Sequence, residues 1–93
     1  MRVIIRFSLN GSNRAANRLR RDLGARLEAQ GIMRDPKSTS TYEGDASEDA
    51  IRLALRGFWQ EIHTFIGNAH LDHFWMYADQ GPPKKLTLED LDL

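Results

Sequence analysis

Hydrophobic residues repeat with the two-residue period of a β-strand in some segments and with the 3.6-residue period of an α-helix in others, and the order of these segments restricts the fold. The segments with the strand period are residues 1–9, a two-strand hairpin over 32–43, and 71–78. The first helical segment covers residues 13–30. The second begins at Asp45 or Ser47, carries an apolar face that includes Phe65 and Ile66, and ends at Gly67 and Asn68.

The resulting order is strand, helix, two strands, helix, strand. This order predicts the α+β class and a ferredoxin-like sandwich, in which two helices cover one face of an antiparallel sheet. A chain of 93 residues is enough for one domain, and its hydrophobic content of 41% is typical of folded proteins. We expect a single ferredoxin-like domain over residues 1–80 and a C-terminal tail over 81–93.

Several classes of protein are excluded or disfavoured by what the sequence lacks. The chain has no cysteine, which excludes disulfides, thiolate metal sites and cysteine nucleophiles. It has no apolar run near the roughly 20 residues of a membrane span, and it begins in strand-like sequence rather than a signal region. We therefore expect a cytoplasmic protein that has no membrane partner.

The usual motifs of nucleophilic catalysis, phosphate loops and zinc proteases are also missing. His70, Asp72 and His73 are close in sequence, but a regular strand directs Asp72 and His73 to opposite faces. We expect no catalytic residue, no metal and no cofactor.

The net charge is zero, yet the charges are divided between the two parts of the chain. Residues 1–37 hold nine basic and three acidic residues, whereas residues 38–93 hold four basic and ten acidic residues. Such a division is typical of a protein with a polyanion-binding face or of subunits with complementary faces. Elements that lie on different sides of a solvated surface would give the same division.

The first helix carries the most suggestive basic pattern. Arg14, Arg18 and Arg21 are spaced i, i+4 and i+7, so they form one continuous ridge. Guanidinium groups bind phosphates bidentately, and a row of them matches a nucleic-acid backbone. We predict a nucleic-acid-binding site at these three residues together with Arg6; a solvated helix face is the alternative.

The last strand places His73, Trp75 and Tyr77 on one face. Aromatic residues on an open sheet either stack nucleic-acid bases or form a dimer core. The octapeptide of the RNA-recognition fold is absent, so we favour a homodimer interface.

The tail adds three leucines to the predicted dimer or partner interface, Leu86, Leu88 and Leu91. Such a segment adds a strand to a partner's sheet or docks as a short helix on a protein partner. A frayed terminus is the alternative.

The segment from Thr39 to Glu48 resembles a pattern in the small subunit of the CRISPR adaptation complex. There, a strand that ends in a serine–hydrophobic–aromatic–Glu–Gly run leads into a helix that starts with Ser/Thr–Glu. The resemblance extends to the first strand, the turn with Arg14, the helix end from Leu23-Gly24 to Gly31, and the last strand from Phe74 to Tyr77. The chain is also similar to virulence-associated protein D, a related ribonuclease family, over most of residues 1–80.

This resemblance implies a ferredoxin-like homodimer whose C-terminal segment completes the partner's sheet. Both families have an aspartate at the end of the first strand, where this chain has Phe7-Ser8-Leu9-Asn10 and no carboxylate. Amides and hydroxyls lack the negative charge that holds magnesium. The resemblance therefore implies a non-catalytic, nucleic-acid-binding homodimer. A protein-interaction or regulatory module and a divergent metal-dependent endoribonuclease are the two alternatives.

Overall fold

The computed structural model describes residues 1–79 and 83–84. Its elements are β1 (Arg2–Gly11), α1 (Asn13–Glu28), β2 (Met33–Arg34), β3 (Thr41–Asp45), α2 (Glu48–Thr64), β4 (Ala69–Asp79) and β5 (Pro83–Lys84). No helix within these residues is long and apolar enough to cross a membrane.

The strands form one sheet in the order β2-β3-β1-β4-β5, and every neighbouring pair is antiparallel. Strands β1 and β2 therefore run parallel with β3 between them, and β3 and β4 run parallel with β1 between them. Each helix links one of these parallel pairs, which is the split arrangement of a ferredoxin-like fold. The predicted α+β sandwich is confirmed.

The core forms between the two helices and one face of the sheet. Alternate residues of β1 are buried because their side chains point to the helices, and the apolar stripes of α1 and α2 meet them. The largest fully buried side chains are Val3, Ile5, Leu19, Leu23, Leu27, Ile32, Ile51, Leu55 and Phe58. We call the other side of the sheet, which no described element covers, the open sheet face.

Serine side chains begin both helices. The Ser12 hydroxyl accepts a hydrogen bond from the Ala15 amide, and the Ser47 hydroxyl accepts one from the Ala50 amide. Each bond satisfies one of the amides that a helix start leaves free. Of the two predicted caps for the second helix, Asp45 and Ser47, the structure uses Ser47.

The prediction that α2 continues to Gly67 is wrong. The helix ends at Thr64, and Phe65 adopts an extended conformation with φ −66° and ψ 131°. Ile66, predicted to lie on the apolar helix face, is 88% exposed. The exit of the chain at Phe65 frees the Ile66 carbonyl, which accepts a hydrogen bond from the Arg18 guanidinium of α1.

The prediction that Asp72 and His73 point to opposite faces is also wrong. The pairing of β1 with β4 shifts register between Ser8 and Leu9, so that Ser8 lies opposite His73 and Leu9 opposite Leu71. Asp72 is the extra residue of a β-bulge, and a bulge breaks the alternation of side chains. The Asp72 carboxylate consequently lies 3.5 Å from Nε2 of His73.

Part of the predicted tail pairs within the chain itself. Pro83 and Lys84 form β5 and lie opposite Asp79 and Ala78 at the edge of β4. The tail leucines Leu86, Leu88 and Leu91 lie outside the described residues.

Gly24 lies inside α1 because the Tyr42 side chain passes directly beneath it. A Cβ atom at this position would contact the Tyr42 hydroxyl and lie 2.9 Å from its Cζ atom. Tyr42 has little room to move, since its ring stacks on Phe7 with 5.8 Å between centroids.

We therefore expect Gly24→Ala to lower the free energy of unfolding by about 1–3 kcal/mol through overpacking. Helix propensity alone predicts a gain of about 1 kcal/mol. Gly57→Ala is the matched control, because the atoms nearest to its Cβ would belong to the flexible Arg26 side chain. Urea denaturation of both variants measures the difference, and a Gly24→Ala protein at least as stable as Gly57→Ala would contradict this packing.

Candidate functional site: an arginine surface on the first helix

The three arginines predicted to form a ridge extend along the outer side of α1. The buried stripe of this helix faces the sheet, so the i, i+4, i+7 spacing places Arg14, Arg18 and Arg21 away from it. These side chains, with Asn17, line a shallow depression of about 550 Å³. We call Arg14, Arg18 and Arg21 the α1 ridge.

Arg18 is the fixed member of the α1 ridge. Its guanidinium donates a hydrogen bond to the Ile66 carbonyl and lies over the Phe65 ring, 4.8 Å from the ring centroid. This cation–π contact and hydrogen bond tie α1 to the segment that follows α2. Arg18 therefore has a structural role in addition to its place in the ridge.

A second depression continues the basic surface toward the β2–β3 hairpin. It has a volume of about 430 Å³ and shares Asn17 and Arg21 with the first. Its lining residues are Asn17, Arg20, Arg21, Glu28, Arg34, Thr39 and Tyr42. We call it the α1–hairpin groove.

Sequence reasoning missed Arg20 and Arg34. Arg20 lies one helical position before the ridge residue Arg21, on the side that faces the hairpin. Arg34 joins it because β2 pairs with β3, which places Arg34 opposite Tyr42. The helical spacing could have indicated Arg20, whereas Arg34 depends on a strand register that the sequence does not specify.

Three arginines of this surface have a different kind of partner from the arginines that form close ion pairs outside it. Three arginines elsewhere are paired with carboxylates at 3.0 Å or less: Arg2 with Glu43, Arg26 with Glu61, and Arg52 with Glu48. Three arginines of the two depressions have neutral acceptors: the Ile66 carbonyl for Arg18, Asn17 Oδ1 for Arg20, and the Ser38 carbonyl for Arg34. Neutral acceptors orient a guanidinium without compensating its charge, so these cations are positioned and still attract anions.

Two carboxylates moderate this charge. Arg21 Nε lies 3.7 Å from the Asp22 carboxylate, longer than the other ion pairs of arginine, and Glu28 lines the α1–hairpin groove. Arginines still outnumber the acidic residues along both depressions, so the surface is basic.

The Tyr42 hydroxyl stays protonated in this groove. Burial raises the pKa of Tyr42, the Glu28 carboxylate adds to the rise, and Arg34 and Arg20 partly oppose it. Tyr42 is therefore a neutral group with an O–H that can donate a hydrogen bond to an anion.

Arg6, the fourth residue of the predicted nucleic-acid site, lies on the open sheet face and not with the α1 ridge. Its guanidinium carbon is 5.3 Å from the centroid of the Trp75 ring. Trp75 in turn stacks on Tyr77, with 6.3 Å between centroids and 10° between planes. The sheet and the helical layer separate Arg6 from the other three arginines.

The predicted interface residues of β4 share the open sheet face with Arg6. His73, Trp75 and Tyr77 lie opposite Ser8, Arg6 and Ile4 of β1, and Trp75 is 41% exposed. The Ser8 hydroxyl is buried and has no hydrogen-bond partner. Within residues 1–79 and 83–84, no three histidine or acidic side chains are grouped closely enough to hold a metal ion.

No protein-family model, curated protein or solved structure matches this chain.

Proposed function

We propose that this protein binds nucleic acid by its phosphate backbone and that the α1 ridge is the contact surface. One observation carries the proposal. Arg18, Arg20 and Arg34 of this basic surface are held by neutral acceptors, whereas Arg2, Arg26 and Arg52 outside it are paired with carboxylates at 3.0 Å or less.

The spacing of the ridge suits a repeating polyanion. Seven residues of α-helix separate Arg14 from Arg21 and correspond to a rise of about 10 Å. One strand of duplex DNA presents a phosphate about every 3.4 Å along the axis, so the ridge spans about three phosphates. Contacts of this type depend on charge and carry no base specificity.

Nuclear magnetic resonance titration tests which surface binds. Isotopically labelled protein is titrated at low salt with a short DNA duplex and with single-stranded RNA. We expect the arginine Nε–Hε signals of Arg14, Arg18 and Arg21 to shift, while the indole signal of Trp75 stays in place. Shifts confined to Trp75 and its neighbours on the open sheet face, or no shifts at all, would contradict the proposal.

We further propose that the open sheet face binds a second copy of this chain. The exposed Trp75 and its partner Tyr77 form an aromatic patch there. Unlike the α1 ridge, this face carries both signs of charge, with Arg2 and Arg6 on β1 next to Glu43 and Asp45 on β3. A surface of mixed sign suits a self-complementary protein contact better than a polyanion.

Trp75→Ala tests self-association, because a central aromatic residue at an interface contributes about 2 kcal/mol or more. We expect the dissociation constant of the dimer to rise about 30-fold, as measured by sedimentation equilibrium. Leu53→Ala, at an exposed leucine of α2, is the control and should leave the dimer unchanged. A parent protein that sediments as a monomer at all concentrations, or a Trp75→Ala dimer of unchanged affinity, would refute the proposed interface.

A further inference from the structure

The α1–hairpin groove differs from the depression along the α1 ridge in drawing its cations from two elements. Arg20 and Arg21 come from α1, and Arg34 comes from β2. The volume of about 430 Å³ lies within the range of sites for small ligands. Cations along a single helix can follow a continuous backbone, whereas cations from two elements can converge on one charged group.

Two of these guanidiniums are oriented before any ligand arrives. Arg34 donates to the Ser38 carbonyl at 2.8 Å, and Arg20 donates to Asn17 Oδ1 at 2.7 Å. Guanidiniums that are already held in place lose less side-chain freedom when an anion binds.

The groove also contains hydroxyl groups that complement an anion. Tyr42 on β3 and Thr39 before it both line the groove. A tyrosine hydroxyl is protonated at neutral pH, and burial raises the pKa of Tyr42 further, so this hydroxyl can donate to an anion. Hydroxyl and guanidinium donors together match the several oxygens of a phosphate group.

The net charge of the groove distinguishes a phosphodiester from a phosphate monoester as its ligand. Three arginines and Glu28 line the groove, which gives the lining two positive charges in excess, and Asp22, 3.7 Å from Arg21 Nε, lies outside the lining. A phosphodiester carries one negative charge, whereas a phosphate monoester carries about −1.5 to −2 at neutral pH. The groove therefore matches a monoester better than an internal phosphate of a strand.

We infer that the α1–hairpin groove binds a phosphate monoester, held by Arg20, Arg21 and Arg34. Two sources have this chemistry: the phosphorylated end of a nucleic-acid strand and a free nucleotide. Where the source is a strand end, the inference rests on the proposed function. The groove adjoins the α1 ridge, since both depressions are lined by Asn17 and Arg21. A strand that follows the ridge would then end in the groove.

The test compares single strands of one sequence that carry a 5′-phosphate, a 3′-phosphate or only hydroxyl ends. We expect at least one phosphorylated strand to bind the parent protein about tenfold more tightly than the hydroxyl strand. Arg34→Gln and Tyr42→Phe should remove this gain and leave the affinity for the hydroxyl strand within about twofold. Arg2→Gln is the control, since Arg2 pairs with Glu43 away from the groove, and it should keep the gain.

Two results would overturn the inference for strand ends. The phosphorylated strands would bind no better than the hydroxyl strand, or the gain would persist in both Arg34→Gln and Tyr42→Phe. A protein that binds none of the strands would refute the proposed function itself.

Titration with a nucleoside 5′-monophosphate tests the groove independently of strand binding. We expect the Arg20 and Arg34 Nε–Hε signals to shift until they saturate, and we expect Tyr42→Phe to weaken this binding. This result would support the groove as a site for a free nucleotide. Absence of such shifts, together with equal binding of all strands, would refute the phosphate monoester site.

Discussion

A protein with Arg14→Glu and Arg21→Glu together is expected to bind short DNA duplexes and single-stranded RNA about 100-fold more weakly than the parent. A hydrogen bond to a charged group contributes about 1.5 kcal/mol or more, and the two substitutions remove two such contacts. The new carboxylates also repel phosphate. Fluorescence anisotropy at fixed low salt measures the loss, and circular dichroism checks that the fold persists.

Arg14 and Arg21 are chosen because they belong to the α1 ridge without the structural contacts of Arg18. Replacing Arg18 would break its hydrogen bond to the Ile66 carbonyl and its contact with Phe65, and stability would then change together with binding. Arg14→Lys and Arg21→Lys together keep the charge and should retain most of the affinity.

The matched single control is Arg56→Glu, at an exposed position of α2, compared with Arg14→Glu. Arg56 lines neither of the two depressions, so it lies outside the basic surface of α1. Both substitutions change the net charge equally, and only Arg14→Glu should weaken binding strongly. Equal losses would show that affinity follows net charge rather than the ridge.

Phe58→Ala is expected to cost about 3–5 kcal/mol of the free energy of unfolding, because truncating a fully buried aromatic ring removes its contacts and leaves a cavity. Phe58 is fully buried, and its ring lies 5.2 Å from that of Phe7, 5.5 Å from that of Trp59 and 5.4 Å from that of Phe74. Phe58 therefore joins α2 to strands β1 and β4. The cavity would open where three aromatic rings meet.

The free energy of unfolding of a native protein is about 5–15 kcal/mol, so this loss would leave the Phe58→Ala protein marginally folded. Urea denaturation measures the change, and Leu53→Ala on the exposed side of the same helix should change stability by no more than about 0.5 kcal/mol. A Phe58→Ala protein that loses less than about 1 kcal/mol would contradict the central position of this ring.

The features predicted correctly from the sequence are those that depend on local periodicity. The two-residue period over residues 1–9 identified β1, where Val3, Ile5 and Phe7 are buried. The apolar stripes of the two helical segments identified α1 and α2, and the order of elements then led to the ferredoxin-like sandwich. In each case the side chains that create the pattern are the ones that the core buries.

The features that were missed depend on contacts between distant segments. The end of α2 at Thr64 is coupled to Arg18, which lies 48 residues from the Ile66 carbonyl that it binds. The bulge at Asp72 appears only when β4 is set against β1. Arg34 reaches the groove through the register of β2 with β3, and neither strand has a periodicity long enough to specify it.

The position of Arg6 could have been deduced from the sequence. Arg6 alternates with the apolar residues of β1, and the helices must cover the apolar side. It follows that Arg6 lies on the side away from α1. The prediction placed Arg6 with Arg14, Arg18 and Arg21 because of charge alone. It did not take into account on which side of the sheet the helices lie.

The most direct test of nucleic-acid binding by the α1 ridge is the salt dependence of the affinity of the parent protein for a short DNA duplex. Each neutralised phosphate releases counterions and contributes about −0.9 to the slope of log K against log salt concentration. Three contacts along the ridge predict a slope of about −3. In the protein with Arg14→Glu and Arg21→Glu, this slope should be shallower by about two units. No binding at low salt, or an affinity that salt does not change, would contradict the proposed function.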